Sequence, residues 1–183
     1  MSLEDGTYQI KSILTKKTIG RNSIEFRSYG PKPIILQEPS IDHAYTVWQI
    51  ERSGDNYYLK NGGAATGLAD GAGDTSGKIF AIVRERLFGH SREWKLRPAA
   101  GTEEEDNGTE EEDNGTEGDN GTEEGDNGTE EGDTYNICNS DEGSNLVWTV
   151  EEVEEAPNGG IVALAEFDPS NSRQIFTFIK EDN

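Results

Sequence analysis

The side chains best placed for chemistry lie in Gly20-Arg21-Asn22-Ser23-Ile24-Glu25-Phe26-Arg27-Ser28-Tyr29-Gly30-Pro31-Lys32-Pro33. This stretch stands between two apolar, strand-like runs, with Gly30 and two prolines at its far end. Proline fixes φ at about −65° and restricts the residue before it, so a stiffened, extended loop is expected. Within it, Arg27-Ser28 joins a long basic side chain to a small residue, the kind of bond a trypsin-like protease cleaves. Lys32 precedes Pro33, a poor bond for such an enzyme, and Arg21 falls nearer the end of a strand. An ordinary strand connection is the plain alternative.

Other constellations are weaker. Asp70-Gly71-Ala72-Gly73-Asp74-Thr75-Ser76-Gly77-Lys78 is rich in glycine, like a phosphate-binding loop. It has Ala72 where the first glycine belongs and Ile79 where a magnesium-binding hydroxyl belongs, and no helix follows. It reads as a strand connection. His43 and His90 stand far apart, with no cysteine or carboxylate at ligand spacing, so no metal site is expected. Cys138 reads as a small buried hydrophobe rather than a nucleophile. No Gly-x-Ser-x-Gly elbow is present. Neither a cofactor nor an enzymatic activity is expected.

Charge narrows the partners. The chain has 183 residues, 31% of them hydrophobic, and a formal net charge of −21. Residues 101–133 hold 16 of its 37 acids and no Lys or Arg. The other 150 residues carry 21 acids against 16 bases, a net charge of −5, ordinary for a globular domain. Nucleic acid binding needs clustered Lys and Arg, which this balance does not offer, and an anionic membrane surface is disfavoured for the same reason. No apolar signal follows Met1 and no run is long enough to span a membrane. With a single cysteine, a cytoplasmic location is expected. Such a protein can still act elsewhere after cell damage or ingestion, in defence.

In the elements that must carry these residues, helical periodicity is nearly absent. Short alternating or β-rich runs occur instead, separated by Gly, Asp, Asn and Pro. Twelve strands are predicted, over residues 7–13, 18–23, 34–37, 46–52, 57–60, 64–69, 78–83, 93–97, 135–139, 146–151, 161–166 and 175–180. They repeat. A polar turn leads into Tyr-x-[Ile/Leu] at Tyr8, Tyr57 and Tyr135, and a second element recurs at Trp48, Trp94 and Phe176. With the 33-residue acidic segment set aside, the spacings are 49 and 45 residues in the first series and 46 and 49 in the second. Three units of about fifty residues, four strands each, describe an all-β fold, the β-trefoil, as one domain over residues 1–183. Residues 101–133 are five near-copies of Gly-Thr-Glu-Glu-(Glu/Gly)-Asp-Asn with nothing apolar to bury, expected to be a disordered acidic repeat inserted between strands 8 and 9. Four Asn-Gly-Thr sites within it match the glycosylation pattern but lack a secretory signal to use them. Its carboxylates lack the spacing of a defined calcium site.

The run Ile19-Gly20-Arg21-Asn22, Arg27-Ser28 and Pro31-Lys32-Pro33-Ile34-Ile35-Leu36 resembles the mushroom β-trefoil serine protease inhibitors, the cospin-like family. So do Ser2-Leu3-Glu4-Asp5-Gly6-Thr7-Tyr8, Trp48-Gln49-Ile50, Tyr58-Leu59-Lys60 and Trp94-Lys95-Leu96-Arg97. The likeness covers about residues 1–100 well and 134–183 more loosely, and the acidic segment departs from it. It implies a fungal, cytoplasmic, monomeric inhibitor of trypsin-like enzymes whose loop between strands 2 and 3 enters the protease. Here the loop is about residues 24–31, with Glu25, Phe26, Arg27, Ser28 and Tyr29 as contacts. Arg27 would occupy the primary specificity pocket, Ser28 would follow the bond under attack, and Phe26 would fill the adjoining subsite. The related mycocypins inhibit cysteine proteases, and some block asparagine-specific proteases through an Asn after strand 5. Asn61-Gly62-Gly63 stands in that place, which makes Asn61 a second candidate inhibitory site. A trefoil lectin is the other alternative. Ricin-type lectins carry Gln-x-Trp near the end of each unit, and this chain has none.

Overall fold

Alternation decides which side chains go inside. Tyr8 and Ile10, Tyr57 and Leu59, and Tyr135 and Ile137 are each two apart on their strands, so each pair shares one face. All six are buried in a single core cluster. A computed structural model describes residues 2–21, 30–69, 77–84, 89–99, 132–153 and 157–181. Among them are thirteen strands: β1 (Gly6–Ser12), β2 (Ile19–Arg21), β3 (Lys32–Leu36), β4 (Val47–Ser53), β5 (Asn56–Asn61), β6 (Ala64–Ala69), β7 (Ile79–Ala81), β8 (Gly89–Ser91), β9 (Trp94–Pro98), β10 (Asp133–Asn139), β11 (Leu146–Glu152), β12 (Gly160–Glu166) and β13 (Phe176–Lys180).

Six of them close on themselves. β1 pairs with β4, β4 with β5, β5 with β9, β9 with β10, β10 with β13, and β13 with β1, all antiparallel. A closed ring leaves no edge strand to aggregate. Its register confirms the repeat read from the sequence. Tyr8 lies opposite Trp48, Tyr57 opposite Trp94, and Tyr135 opposite Phe176. Six of the other seven strands form three hairpins, β2–β3, β6–β7 and β11–β12, and the seventh, β8, adds to β6. The hairpins meet one another through β3 with β7, β3 with β12, and a bridge between Lys78 and Ala163. Ile19, Ile34, Ile79, Trp148, Val150 and Val162 from these hairpins join the ring's side chains in the same core.

The centre of that core is aromatic. The Trp148 ring meets Trp94 edge-on at 5.1 Å, Phe176 edge-on at 6.5 Å and Trp48 at a tilt at 6.0 Å. Edge-to-face contact is the geometry ring quadrupoles favour. Trp148 Nε1 is buried without a hydrogen-bond partner among the described residues, but several other buried polar tips are satisfied. Trp48 Nε1 donates to the Ile19 carbonyl, Trp94 Nε1 to Thr66 Oγ1, and the Tyr8 hydroxyl to the Glu4 carbonyl. Burial and the carboxylate of Asp133 push the Tyr135 phenol up to about 12. An unfolded tyrosine ionises near pH 10, so the folded state loses this contribution as pH rises from about 10 to 12. The expected result is a melting temperature that falls over that window less steeply in Tyr135→Phe, read by thermal denaturation across an alkaline pH series.

Beyond shifts of strand ends, the structure differs from the expectation in two places. β8 is a thirteenth strand, paired with β6 through Gly67 opposite Ser91 and Leu68 opposite His90. Gly-His-Ser has no apolar alternation and poor strand propensity, and only the neighbouring β6 makes it extended. The last residue of the acidic repeats, Asp133, is the first of β10 and lies opposite Phe178. The repeats, of which 101–131 lie outside the described residues, still stand between the strands expected at 93–97 and 135–139, which are β9 and β10 here.

Candidate functional site

Glu25, Phe26, Arg27, Ser28 and Tyr29 lie outside the described residues, so the site is built from what flanks them. Arg21 ends β2 and lies opposite Ile34 on β3. Residues 22–31 are thus the connection of an antiparallel hairpin rather than a crossover. On the far side, Pro31 leads into Lys32, which lies opposite Ala81 of β7 and is only 8% exposed. The basic residues that bracket the stretch are accordingly spent on the scaffold. The Arg21 guanidinium sits over the Tyr45 ring, its Cζ 5.2 Å from the centroid, a cation–π arrangement. Its other side packs on Gly62, where an added Cβ would lie 2.5 Å from Arg21 Cζ.

That contact joins the two candidate sites. Gly62 and Gly63 have φ of +57° and +77° and connect β5 to β6, with Asn61 opposite Ala64 across the turn. Two consecutive residues in the left-handed region make the tight hairpin turn that glycine tolerates. Asn61 immediately precedes it, and its side chain is fully buried. Its Oδ1 accepts from the Arg21 amide at 3.1 Å, and its Nδ2 donates to the Val47 carbonyl at 2.9 Å. As placed, this amide is turned inward and is not available to enter a protease pocket. Gln37, 1% exposed, completes the surroundings: its Nε2 donates to the Arg21 carbonyl at 2.6 Å. Gln37 closes the strand expected over residues 34–37, but nothing in the sequence marks it as a site residue. Its partner is 16 residues away, and no local pattern marks it.

The remaining chemical candidates are accounted for by structure. Cys138 is 5% exposed on β10, its thiol directed to the Asn136 carbonyl at 3.8 Å. Burial pushes that thiol up, against the smaller pull of Arg97 and Lys95. A thiolate is the reactive form, so the native protein is expected to react with a disulfide reagent far more slowly than the unfolded chain. A time course with and without denaturant checks this, and rapid native labelling would contradict it. His43 bonds Glu181 at 2.8 Å, while His90 lies exposed on β8. Among the described residues no group of three or more His, Cys, Asp or Glu is arranged to hold a metal, and no helix is long and apolar enough to cross a membrane.

Comparison with known proteins places this framework. The family model for peptidase inhibitor I66 matches residues 1–125. A serine protease inhibitor from Lentinula edodes is 46% identical over 65 residues, which cover 36% of this chain and 44% of that protein. The match thus spans less than half the length of that relative. Among solved structures, a proteinase inhibitor from Coprinopsis cinerea superposes with a TM-score of 0.64 at 20% identity, over 98% of this chain and all of that one. A ricin B-like lectin from Macrolepiota procera, in complex with lactose, gives 0.60 at 14% over 99% and 100%. The designed threefold-symmetric protein ThreeFoil gives 0.56 at 14% over 97% and 100%. At these identities the structural likenesses speak for the fold alone. The family model extends over more than half the chain, through both hairpin strands that flank residues 22–29, and the chain belongs to the peptidase inhibitor I66 family.

Proposed function

We propose that this chain is a β-trefoil, non-enzymatic inhibitor of trypsin-like serine proteases that acts competitively through the connection between β2 and β3. The observation that carries this reading is the fixed base of that connection. Both backbone groups of Arg21 are held by buried side chains, and Lys32 enters β3 at once after Pro31. A loop held at its ends loses less entropy on docking. It also keeps cleaved ends together, so hydrolysis is slow and reversible. Arg27 fits the primary specificity pocket of such an enzyme, with Ser28 after the bond, Phe26 in the adjoining subsite, and Glu25 and Tyr29 as flanking contacts. The 46% identical relative bears the name serine protease inhibitor, which favours that protease class over the cysteine proteases. A cytoplasmic monomer is part of the same reading.

The lectin alternative finds less support. Trp48, Trp94 and Trp148 are all fully buried and offer no ring for a sugar to stack on. Titration of the purified protein against trypsin, chymotrypsin, papain and legumain tests the proposal. Tight inhibition of trypsin, with papain and legumain unaffected, is expected. Inhibition confined to papain or legumain would move the function to the cysteine protease class.

A further inference from the structure

The three units carry equivalent positions that have diverged in use. Across the turn that follows the first strand of each unit, Lys11 pairs with Thr18, Lys60 with Ala65, and Cys138 with Val147. The next residue outward is Ser12 in the first unit, Asn61 in the second and Asn139 in the third. Ser12 and Asn139 serve their own turns. Ser12 Oγ accepts from the Thr15 amide at 3.4 Å. Asn139 Nδ2 bonds Asp141 at 3.1 Å and Ser144 at 3.2 Å. In the second unit the turn is only Gly62-Gly63, too short to need a side-chain cap. The Asn61 amide is released from local duty and reaches into the first unit, 40 residues away in sequence, to take the Arg21 amide.

Gln37 acts on the other backbone group of the same residue. Its own amide is anchored to the Thr18 carbonyl at 2.8 Å while its Nε2 donates to the Arg21 carbonyl. Its Oε1 is buried with no hydrogen-bond partner among the described residues. A buried acceptor left unmatched is costly, and an apolar side chain of the same shape would avoid that cost. Packing alone does not call for glutamine here.

We propose that Asn61 and Gln37 are positioning residues, a two-sided clamp on the Arg21 main chain that sets the direction in which the inhibitory segment leaves β2. The proposal rests on the reading of the β2–β3 connection as that segment. It recasts Asn61 as a support for the first site. Arg21 is the hand-over point: its side chain is pinned between Tyr45 and Gly62, and its peptide groups by the two amides. Releasing either amide leaves the fold but loosens the exit.

The test uses Asn61→Ala and the near-isosteric Gln37→Met, with three measurements on each: the trypsin inhibition constant, the rate at which trypsin cuts after Arg27, and hydrogen exchange at the Arg21 amide. An inhibition constant and a cleavage rate each raised about tenfold or more are expected, a scale set by one or two lost hydrogen bonds. Faster Arg21 exchange with unchanged protection in the six-strand ring is expected alongside. Gln37→Met is expected to melt close to the wild type, because removing the unmatched Oε1 offsets the carbonyl it abandons. Should Asn61→Ala fail to fold, Gln37→Met carries the same test. Unchanged Arg21 exchange, or unchanged inhibition and cleavage in a protein that inhibits trypsin, overturns the clamp. A wild type that leaves trypsin untouched removes the inhibitory reading. In that case faster cutting after Arg27 together with faster Arg21 exchange in the variants still sustains the clamp, and equal rates overturn it.

Discussion

Arg27→Ala is expected to raise the trypsin inhibition constant by a factor on the order of 10² or more, the scale of losing one partner of a buried charge pair, about 2–5 kcal/mol. The guanidinium would pair in parallel with the acidic residue at the bottom of the specificity pocket. Such charge-assisted, two-point bonds are roughly twice as strong as neutral ones. Alanine leaves that acid desolvated and unmatched, so the loss exceeds the contact itself. Arg27→Lys is expected to keep part of the affinity, because it retains the charge but not the planar fork. The scaffold basics are not substitutes: Arg21 is stacked on Tyr45 and Lys32 is buried at the start of β3. Steady-state inhibition of trypsin by wild type and both variants reads the result. Undiminished inhibition by Arg27→Ala would place the contact on another residue.

Gly20→Ala is expected to destabilise the fold by about 3 kcal/mol or more, the upper end of overpacking costs. A methyl at this position would collide with the Tyr45 carbonyl oxygen and stand 3.0 Å from its carbon. Both atoms are main chain, so no rotamer change relieves the clash. Gly67 is the equivalent residue in the second unit and faces the His90 carbonyl in the same way. The third unit has Thr149 there, whose Oγ1 accepts from Gln174 Nε2 at 3.1 Å, so that unit fills the space with a hydrogen bond. At roughly 2–4 °C per kcal/mol for a chain of this size, a fall in melting temperature on the order of 10 °C is expected for Gly20→Ala. A similar fall is expected for Gly67→Ala. Calorimetry or circular dichroism decides. A change within a degree or two would mean that the hairpin and the 43–45 turn can part without penalty.

The repeat was legible because its signal is chemical and periodic. Tyr-x-[Ile/Leu] and the later Trp or Phe recur at a near-constant spacing, and the register sets each tyrosine opposite its own unit's ring. Strand ends were less legible. Residues 78–83 looked extended from composition, but pairing with β6 and β3 reaches only Ile79–Ala81. β8 gave no signal of its own, since Gly89, His90 and Ser91 are extended only by virtue of β6. In the candidate site, the two strands that flank residues 22–29 were readable, and so was the retreat of Arg21 into the strand end. The role of Asn61 was not. An Asn before Gly-Gly looks like an exposed turn residue, and only the closed ring brings β5 beside the end of β2. One clue was present: two glycines allow a turn so short that the preceding Asn has nothing of its own to cap.

The entry point of the acidic repeats bears on how this gene can change. β9 and β10 are neighbours in the ring, Pro98 lies opposite Tyr135, and the Ala99 amide donates to the Thr134 carbonyl at 3.0 Å. Chain leaves and returns at one spot already stitched by hydrogen bonds. Each doubling of a loop adds only about 0.6 kcal/mol of closure entropy. Near-identical tandem copies are the kind of coding sequence that gains and loses units when DNA is copied. Here such slippage can alter the copy number without touching a core contact or the β2–β3 connection. The fold therefore leaves repeat number free to change without a cost in stability, and related chains are expected to differ most in size at this junction.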